Sequence, residues 1–171
     1  MRLADAIFDR LKKETSCCYV LPGGGAMFLV DALGKSGIRY VSAIHEQGAG
    51  AMAIGHAMAS GGLGVCLVTS GPGSTNAITP CLAAWMDSVP VLFISGQARL
   101  DTLVGDTGLR TRGVQEVNII SVVKPMTKLS IELRQGDVGL TVLEEMISTC
   151  LTGRRGPCWL SIPLDIQRLE L

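Results

Sequence analysis

Aromatic side chains are scarce: three Phe, two Trp and two Tyr make up 4% of the 171 residues. Charge is scarce too, at 18%, and 15 Lys plus Arg offset 15 Asp plus Glu to a formal net charge of 0. With no basic excess there is no electrostatic footprint for nucleic acid and no polybasic face for an anionic membrane. No uninterrupted apolar run reaches the roughly 20 residues that a bilayer-spanning helix needs. The opening Met1-Arg2-Leu3-Ala4-Asp5 carries an early acid and no signal-peptide apolar region, so the expected compartment is the cytoplasm. Repeats and low-complexity segments are missing. Six cysteines are present, but none forms a C-x-x-C pair, and Cys17 and Cys18 are adjacent. They read as free, buried thiols in a reducing environment, with no metal site among them.

What remains is apolar. Hydrophobic residues make up 47% of the chain, which excludes a disordered one, and the length suits a single domain over residues 1–171. Its 21 glycines punctuate a repeating pattern. Helical spacing over residues 2–14 is followed by a short apolar run at 18–21 and a Pro-Gly stop. The cycle recurs with helices over 26–36, 46–60 and 74–86 and strands over 39–44, 64–69 and 89–95. A long polar stretch spans 97–118, and a short helix is expected over 114–123. A strand over 127–133, a helix over 138–151 and a strand over 158–162 complete the chain. Short apolar strands alternating with helices predict an α/β fold, a parallel sheet of about six strands with helices on both faces.

Ligands of such a sheet sit at the carboxyl ends of its strands. Four loops leave those ends: 22–25, 45–50, 70–76 and 95–98. Gly48-Ala49-Gly50-Ala51-Met52-Ala53 matches a dinucleotide-binding G-x-G-x-x-A pattern, but the acid that pattern needs about 20 residues on is missing, since Thr69-Ser70-Gly71 stands there. Gly34-Lys35-Ser36 lacks the earlier glycine of a phosphate-binding loop. A dinucleotide module and a non-catalytic interaction domain on the same fold remain the alternatives.

Glu46 is the sharpest local feature. It opens a helix whose residues Gly48, Ala49, Gly50, Ala51, Ala53, Gly55, Ala57 and Ala59 have almost no bulk. An acid in a first helical turn is often only a partner for the helix dipole. Yet each helical glycine costs about 1 kcal/mol relative to alanine. Close packing against a backbone or a ligand is the plausible return, and it would keep Glu46 dry. A dry carboxyl at a strand end is a candidate proton-transfer group.

The loops occur in order: Leu21-Pro22-Gly23-Gly24-Gly25, His45-Glu46-Gln47, Thr69-Ser70-Gly71-Pro72-Gly73-Ser74-Thr75-Asn76, Ser95-Gly96-Gln97, and Gly156-Pro157 through Ile162-Pro163-Leu164-Asp165. Together they resemble the N-terminal pyrimidine-binding (Pyr) domain of thiamine-diphosphate-dependent enzymes, the acetolactate synthase and 2-oxo acid decarboxylase group. The resemblance implies that Glu46 hydrogen-bonds N1′ of the cofactor's aminopyrimidine and is the catalytic residue. It implies that Pro22 and Gly23 lie near the pyrimidine ring and that Pro72, Gly73 and Asn76 face the ring and support Glu46. Gln97 and Gln115 then lie toward the substrate. His45 directly precedes Glu46, so the alternation of side chains at a strand end turns it to the opposite side, a structural place. Where acetolactate synthases carry a Phe before Gln-Glu, this chain has Val114. The resemblance further implies that diphosphate and Mg2+ are bound by a Gly-Asp-Gly domain, a motif this sequence lacks. The expected partners are therefore that domain or subunit and further copies of the chain in a homo-oligomer.

Overall fold

The structure is a computed structural model that describes residues 1–171. Its elements run α1 (Leu3–Leu11), β1 (Cys17–Val20), α2 (Met27–Ser36), β2 (Arg39–Ser42), α3 (Glu46–Ser60), β3 (Gly64–Val68), α4 (Pro72–Asn76), α5 (Ile78–Met86), β4 (Val91–Gln97), α6 (Ile119–Val123), β5 (Leu129–Glu132), α7 (Gly139–Leu151), β6 (Cys158–Pro163) and α8 (Leu164–Gln167). The strands form one six-stranded sheet in the order β2-β1-β3-β4-β6-β5. Every pairing is parallel.

The alternation of side chains along a strand sorts the core into two layers. Val65 and Leu67 of β3 face one layer with Leu92, Ile94, Leu160 and Ile162, covered by α1, α2 and α7 through Phe8, Leu29, Leu33, Leu143 and Met146. Cys66 and Val68 face the other with Phe93 and Trp159, covered by α3, α5 and α6 through Ala49, Ala53, Cys81, Ala84, Ile119 and Val123. Two of the few aromatics meet there: the Phe93 and Trp159 rings stack with centroids 5.2 Å apart, and Trp159 Nε1 donates to Ser95 Oγ at 3.0 Å. That contact satisfies the indole N–H within an apolar layer.

The structure revises the expected elements in four places. β2 is exposed along its whole length, so the sheet is not covered on both faces at that edge. The expected helix over 74–86 is two helices, because Pro80 lacks an N–H and is tolerated only in a first turn; α4 ends at Asn76 and α5 begins at Ile78. β4 continues through Gln97 where a loop was expected over 95–98, and the helix expected from 114 begins only at Ile119, where Asn118 Oδ1 accepts from the N–H of Ser121 at 3.2 Å.

The small-residue helix behaves as its composition suggests on one side. A Cβ on Gly50 would stand 2.4 Å from Pro80 Cγ and 3.3 Å from Phe93, so Gly50 lets α3 lie against α5 and β4. Gly64 admits the Ala53 carbonyl, which a Cβ would meet at 2.3 Å. Gly48 and Gly55 face open space, so nothing within this chain accounts for them. The helix stops where Gly61 turns left-handed at φ 69°.

Candidate cofactor site

The chain passes from β1 outward to the edge strand β2, and from β3 the other way to β4. The loops after β1 and β3 therefore diverge at the carboxyl end of the sheet, the crevice where open parallel sheets bind ligands. Here the two loops touch. A Cβ on Gly23 would lie 2.6 Å from Thr69 Cβ, and one on Gly25 would lie 2.3 Å from Ser70 Oγ. Only glycine allows this approach. Pro22 is exposed at the rim of the crevice, directly after Leu21, whose N–H donates to the Leu67 carbonyl at 3.1 Å.

Glu46 projects into this crevice from the first turn of α3. His45 takes the cap, its Nδ1 accepting from the N–H of Gln47 at 3.1 Å, which leaves the Glu46 carboxyl free of that task. Glu46 is 8% exposed. Its Oε2 accepts from Asn76 Nδ2 at 2.9 Å, a contact thirty residues apart in sequence. Asn76 is the last residue of α4 and caps nothing at a helix start. Pro72 opens the same helix, and Gly73 follows it. A Cβ on Gly73 would stand 3.4 Å from Glu46 Oε1 and 2.6 Å from Thr69 Cγ2. The missing side chain at 73 thus leaves one carboxyl oxygen unobstructed while Asn76 holds the other.

The Thr69 hydroxyl lies at the centre of this cradle, buried and without a hydrogen-bond partner. A buried polar atom without a partner is costly, and ligand sites are where such atoms persist. A flat, hydrogen-bonding heterocycle suits the place. Gly23, Gly25 and Gly73 give backbone access, the Thr69 hydroxyl is unused, and Glu46 offers one free carboxyl oxygen. These residues fit an aminopyrimidine.

The expected substrate-side residues take different positions. Gln97 is at the end of β4 and 2% exposed. Its Nε2 donates to the Val117 carbonyl at 2.6 Å and to Glu132 Oε2 at 3.1 Å, while its Oε1 accepts from the N–H of Ala98 at 2.9 Å. Both amide hydrogens are spent inside the protein, so Gln97 anchors the following loop to the sheet. Gln115 is exposed, with φ at 54°. Gly71, also left-handed at 57°, lies against the Gln115 carbonyl, which a Cβ would meet at 2.5 Å. A cleft of about 410 Å³ opens there, lined by Gly25, Ser70, Gln97, Arg99, Arg112 and Gln115 among others. Val114 is 87% exposed beside it.

Sequence reasoning missed Glu116. Its Oε1 accepts from the N–H of Val104 at 2.6 Å and its Oε2 from those of Arg112 and Gly113 at 3.0 and 2.9 Å. Burial alone would push this carboxyl up, but the three N–H groups and the Arg112 charge outweigh it and hold the carboxyl below its ordinary value. It fastens the long loop that carries Gln115. A single acid in a polar stretch gave no periodic signal for this role.

The dinucleotide alternative fails on placement. Gly48 and Gly50 lie inside α3, beyond its first residues, whereas the fingerprint needs its glycines in the strand-to-helix turn. No cluster of His, Cys, Asp or Glu in the chain could hold a metal ion, and no helix is long and apolar enough to cross a membrane. All six cysteines are free and buried.

The sequence profile described as thiamine pyrophosphate enzyme, N-terminal TPP binding domain, matches residues 1–122. The chain is 40% identical over 170 residues to the acetolactate synthase large subunit of Corynebacterium glutamicum, covering 98% of this chain and 26% of that protein. It is 39% identical over 146 residues to acetolactate synthase isozyme 2 large subunit of Escherichia coli K12, covering 85% and 26%. Glyoxylate carboligase of Escherichia coli O157:H7 is 35% identical over 174 residues, covering 100% and 28%. The chain thus spans about a quarter of the length of the curated relatives it matches. With the glycine-lined crevice, the buried acid at the head of α3 and this match over most of its length, the chain belongs to the thiamine pyrophosphate enzymes, as an N-terminal TPP-binding domain.

Proposed function

We propose that residues 1–171 form one domain, the pyrimidine-binding half of a thiamine-diphosphate-dependent enzyme that acts on a 2-oxo acid by decarboxylation or carboligation. The observation that carries this reading is Glu46: buried, positioned by Asn76 on one oxygen, and open on the other toward a crevice in which Thr69 lacks a partner. Thiamine diphosphate, when bound, supplies the electron sink that such a reaction needs.

This chain's residues bind and orient. Glu46 holds a proton at its free oxygen and hydrogen-bonds the pyrimidine N1′. Asn76 fixes the carboxyl rotamer, Gly73 keeps the approach clear, and the 22–25 loop with Pro22 and Gly23 closes one side of the ring. Pro72 starts the short helix that brings Gly73 and Asn76 to the ring. Gln115 stands at the open, substrate end. Gln97 acts from behind, as a positioning residue for the same loop.

Magnesium and the diphosphate are held by a second domain outside these residues. The half-site nature of the crevice, open toward solvent with Pro72 and Asn76 exposed at its rim, supports that division. The exposed apolar side chains Met58 of α3 and Leu82 of α5 support a homo-oligomer in which α3 and the first half of α5 face another copy or the diphosphate domain, leaving the far end of α5 open. Six free thiols suit a cytoplasmic setting.

Glu46→Gln tests the reading in the whole enzyme that carries this domain. Turnover of a 2-oxo acid should fall by about 10²–10⁴-fold, the usual contribution of a positioned acid or base. Exchange of the cofactor C2 proton for deuterium, followed by NMR, should slow in parallel. Unchanged exchange and turnover would refute the role of Glu46 and leave only a binding domain.

A further inference from the structure

At the other end of the sheet, away from Glu46, α5 ends at Trp85 and Met86, β5 begins after Lys128, and the turn between α7 and β6 carries Arg154 and Arg155. These five residues line a cleft of about 350 Å³, within the size range of small-molecule sites. Three of the five are cations, and no carboxylate lines the cleft. None of the three takes part in any ion pair of the chain.

The cations are positioned but not all used up. Lys128 Nζ donates to the Thr149 carbonyl and, at 2.7 Å, to the Thr152 carbonyl, so its charge offsets the negative end of α7. Its stem packs along Gly156, where a Cβ would meet Lys128 Cδ at 3.2 Å and Trp85 Cε3 at 3.9 Å. Arg154 Nε donates to Ser88 Oγ at 2.8 Å. Arg155 NH1 donates to the Gly61 carbonyl at 2.9 Å. Each arginine spends one donor on the protein and keeps the rest of its fork for an anion. Trp85, 40% exposed, turns an aromatic surface to the same cleft.

Two unneutralised guanidinium forks next to an exposed indole are complementary to a ligand with clustered negative oxygens and a flat ring. We propose that this cleft is a second ligand site and that it takes a nucleoside di- or triphosphate, with the phosphates on Arg154 and Arg155 and the base against Trp85. The phosphates engage planar guanidinium donors, and the base stacks on the indole, as bases do on aromatic side chains elsewhere. The site is separate from the crevice of Glu46 and does not depend on the cofactor reading.

Trp85 provides the readout, because Trp159, the other tryptophan, is fully buried against Phe93. Titration of the 171-residue chain with ADP and with ATP should quench Trp fluorescence saturably, and added salt should weaken the binding. Trp85→Phe should remove the fluorescence change while calorimetry still detects binding. Arg155→Ala should weaken ADP binding about tenfold, as loss of one charge-assisted contact does. Arg155→Gln keeps a donor for the Gly61 carbonyl and should show the same loss, separating charge from local structure. Three results would each overturn the proposal: no saturable signal or heat with ADP at millimolar concentration, pyrophosphate binding as tightly as ADP, or unchanged ADP affinity in folded Arg155→Gln.

Discussion

Asn76 donates its amide hydrogen to Glu46 at 2.9 Å, joining the last residue of α4 to the first residue of α3. Removing one partner of a buried polar group costs about 1–3 kcal/mol, so Asn76→Ala should lower the cofactor affinity or turnover of the whole enzyme roughly five- to hundredfold. Asn76 is itself exposed, so the melting temperature of the chain should move little. Asn76→Asp removes the donor and sets a second acidic group against Glu46, and it should cost more than Asn76→Ala in both affinity and stability. A series in which Asn76→Asp equals wild type would show that Glu46 needs no positioning from this side.

Gly73 and Thr69 should be coupled. In Gly73→Ala the new methyl would stand 2.6 Å from Thr69 Cγ2, and the overlap should destabilise the chain by about 1–3 kcal/mol, as overpacking typically does. Thr69→Ser removes that methyl and keeps the hydroxyl. The double variant should therefore recover more than about 0.5 kcal/mol relative to the sum of the singles in a denaturant titration. Additive effects would mean that the loop backbone moves aside instead. Cofactor affinity should stay reduced in the double variant, because the methyl at 73 still lies 3.4 Å from Glu46 Oε1.

The sheet and the burial of Glu46 at the head of α3 were legible in the sequence because both follow from local rules. The bounds of α3 come directly from the Ala and Gly run between His45 and Gly61, and β3 reads as an unbroken apolar stretch because both of its faces are buried. The Asn76 contact was invisible as geometry, since no local pattern joins residues thirty apart; only the resemblance pointed to it. Gln97 shows the opposite failure. A glutamine after Ser-Gly reads as solvated loop, yet its partners Val117 and Glu132 arrive from distant segments and bury it. Pro80, by contrast, was a readable break in the helix expected over 74–86, and its effect on α4 and α5 follows from the missing N–H alone.

The thiols should be inert until the chain unfolds. All six are buried; burial pushes the Cys81 thiol up to about 12 and raises Cys18 and Cys66 as well. Cys158 is lowered, chiefly by its contact with Cys150, but it is fully buried in the sheet and has no access to reagent. A disulfide reagent at neutral pH should therefore label the chain at the global unfolding rate and reach six thiols in denaturant. Rapid labelling of one thiol in the native state would mark a local opening that the packed core does not provide.

The loop that carries Gln115 should open in acid, and Glu116 should set where. Its carboxylate receives three backbone N–H groups, from Val104, Arg112 and Gly113, and burial's opposing effect does not cancel them. The folded value thus lies below the unfolded one, near 4.5. A group depressed in this way contributes its full stabilisation above the unfolded value and loses it as the pH falls through the folded value. Hydrogen exchange at the amides of Val104, Arg112 and Gly113 should then accelerate, after correction for intrinsic rates, as the pH is lowered from about 6 to about 3. Asp5 and Glu144 are also depressed by their arginine partners, so acid loosens α1 and α7 at the same time. Glu116→Gln separates the two effects. Its neutral side chain has a single carbonyl oxygen, so it should show fast exchange at these three amides already at neutral pH and no further local acceleration in acid. If these amides in Glu116→Gln stay protected at neutral pH, the loop is held by Gly71 against the Gln115 backbone instead, and Gly71→Ala becomes the variant that should release it.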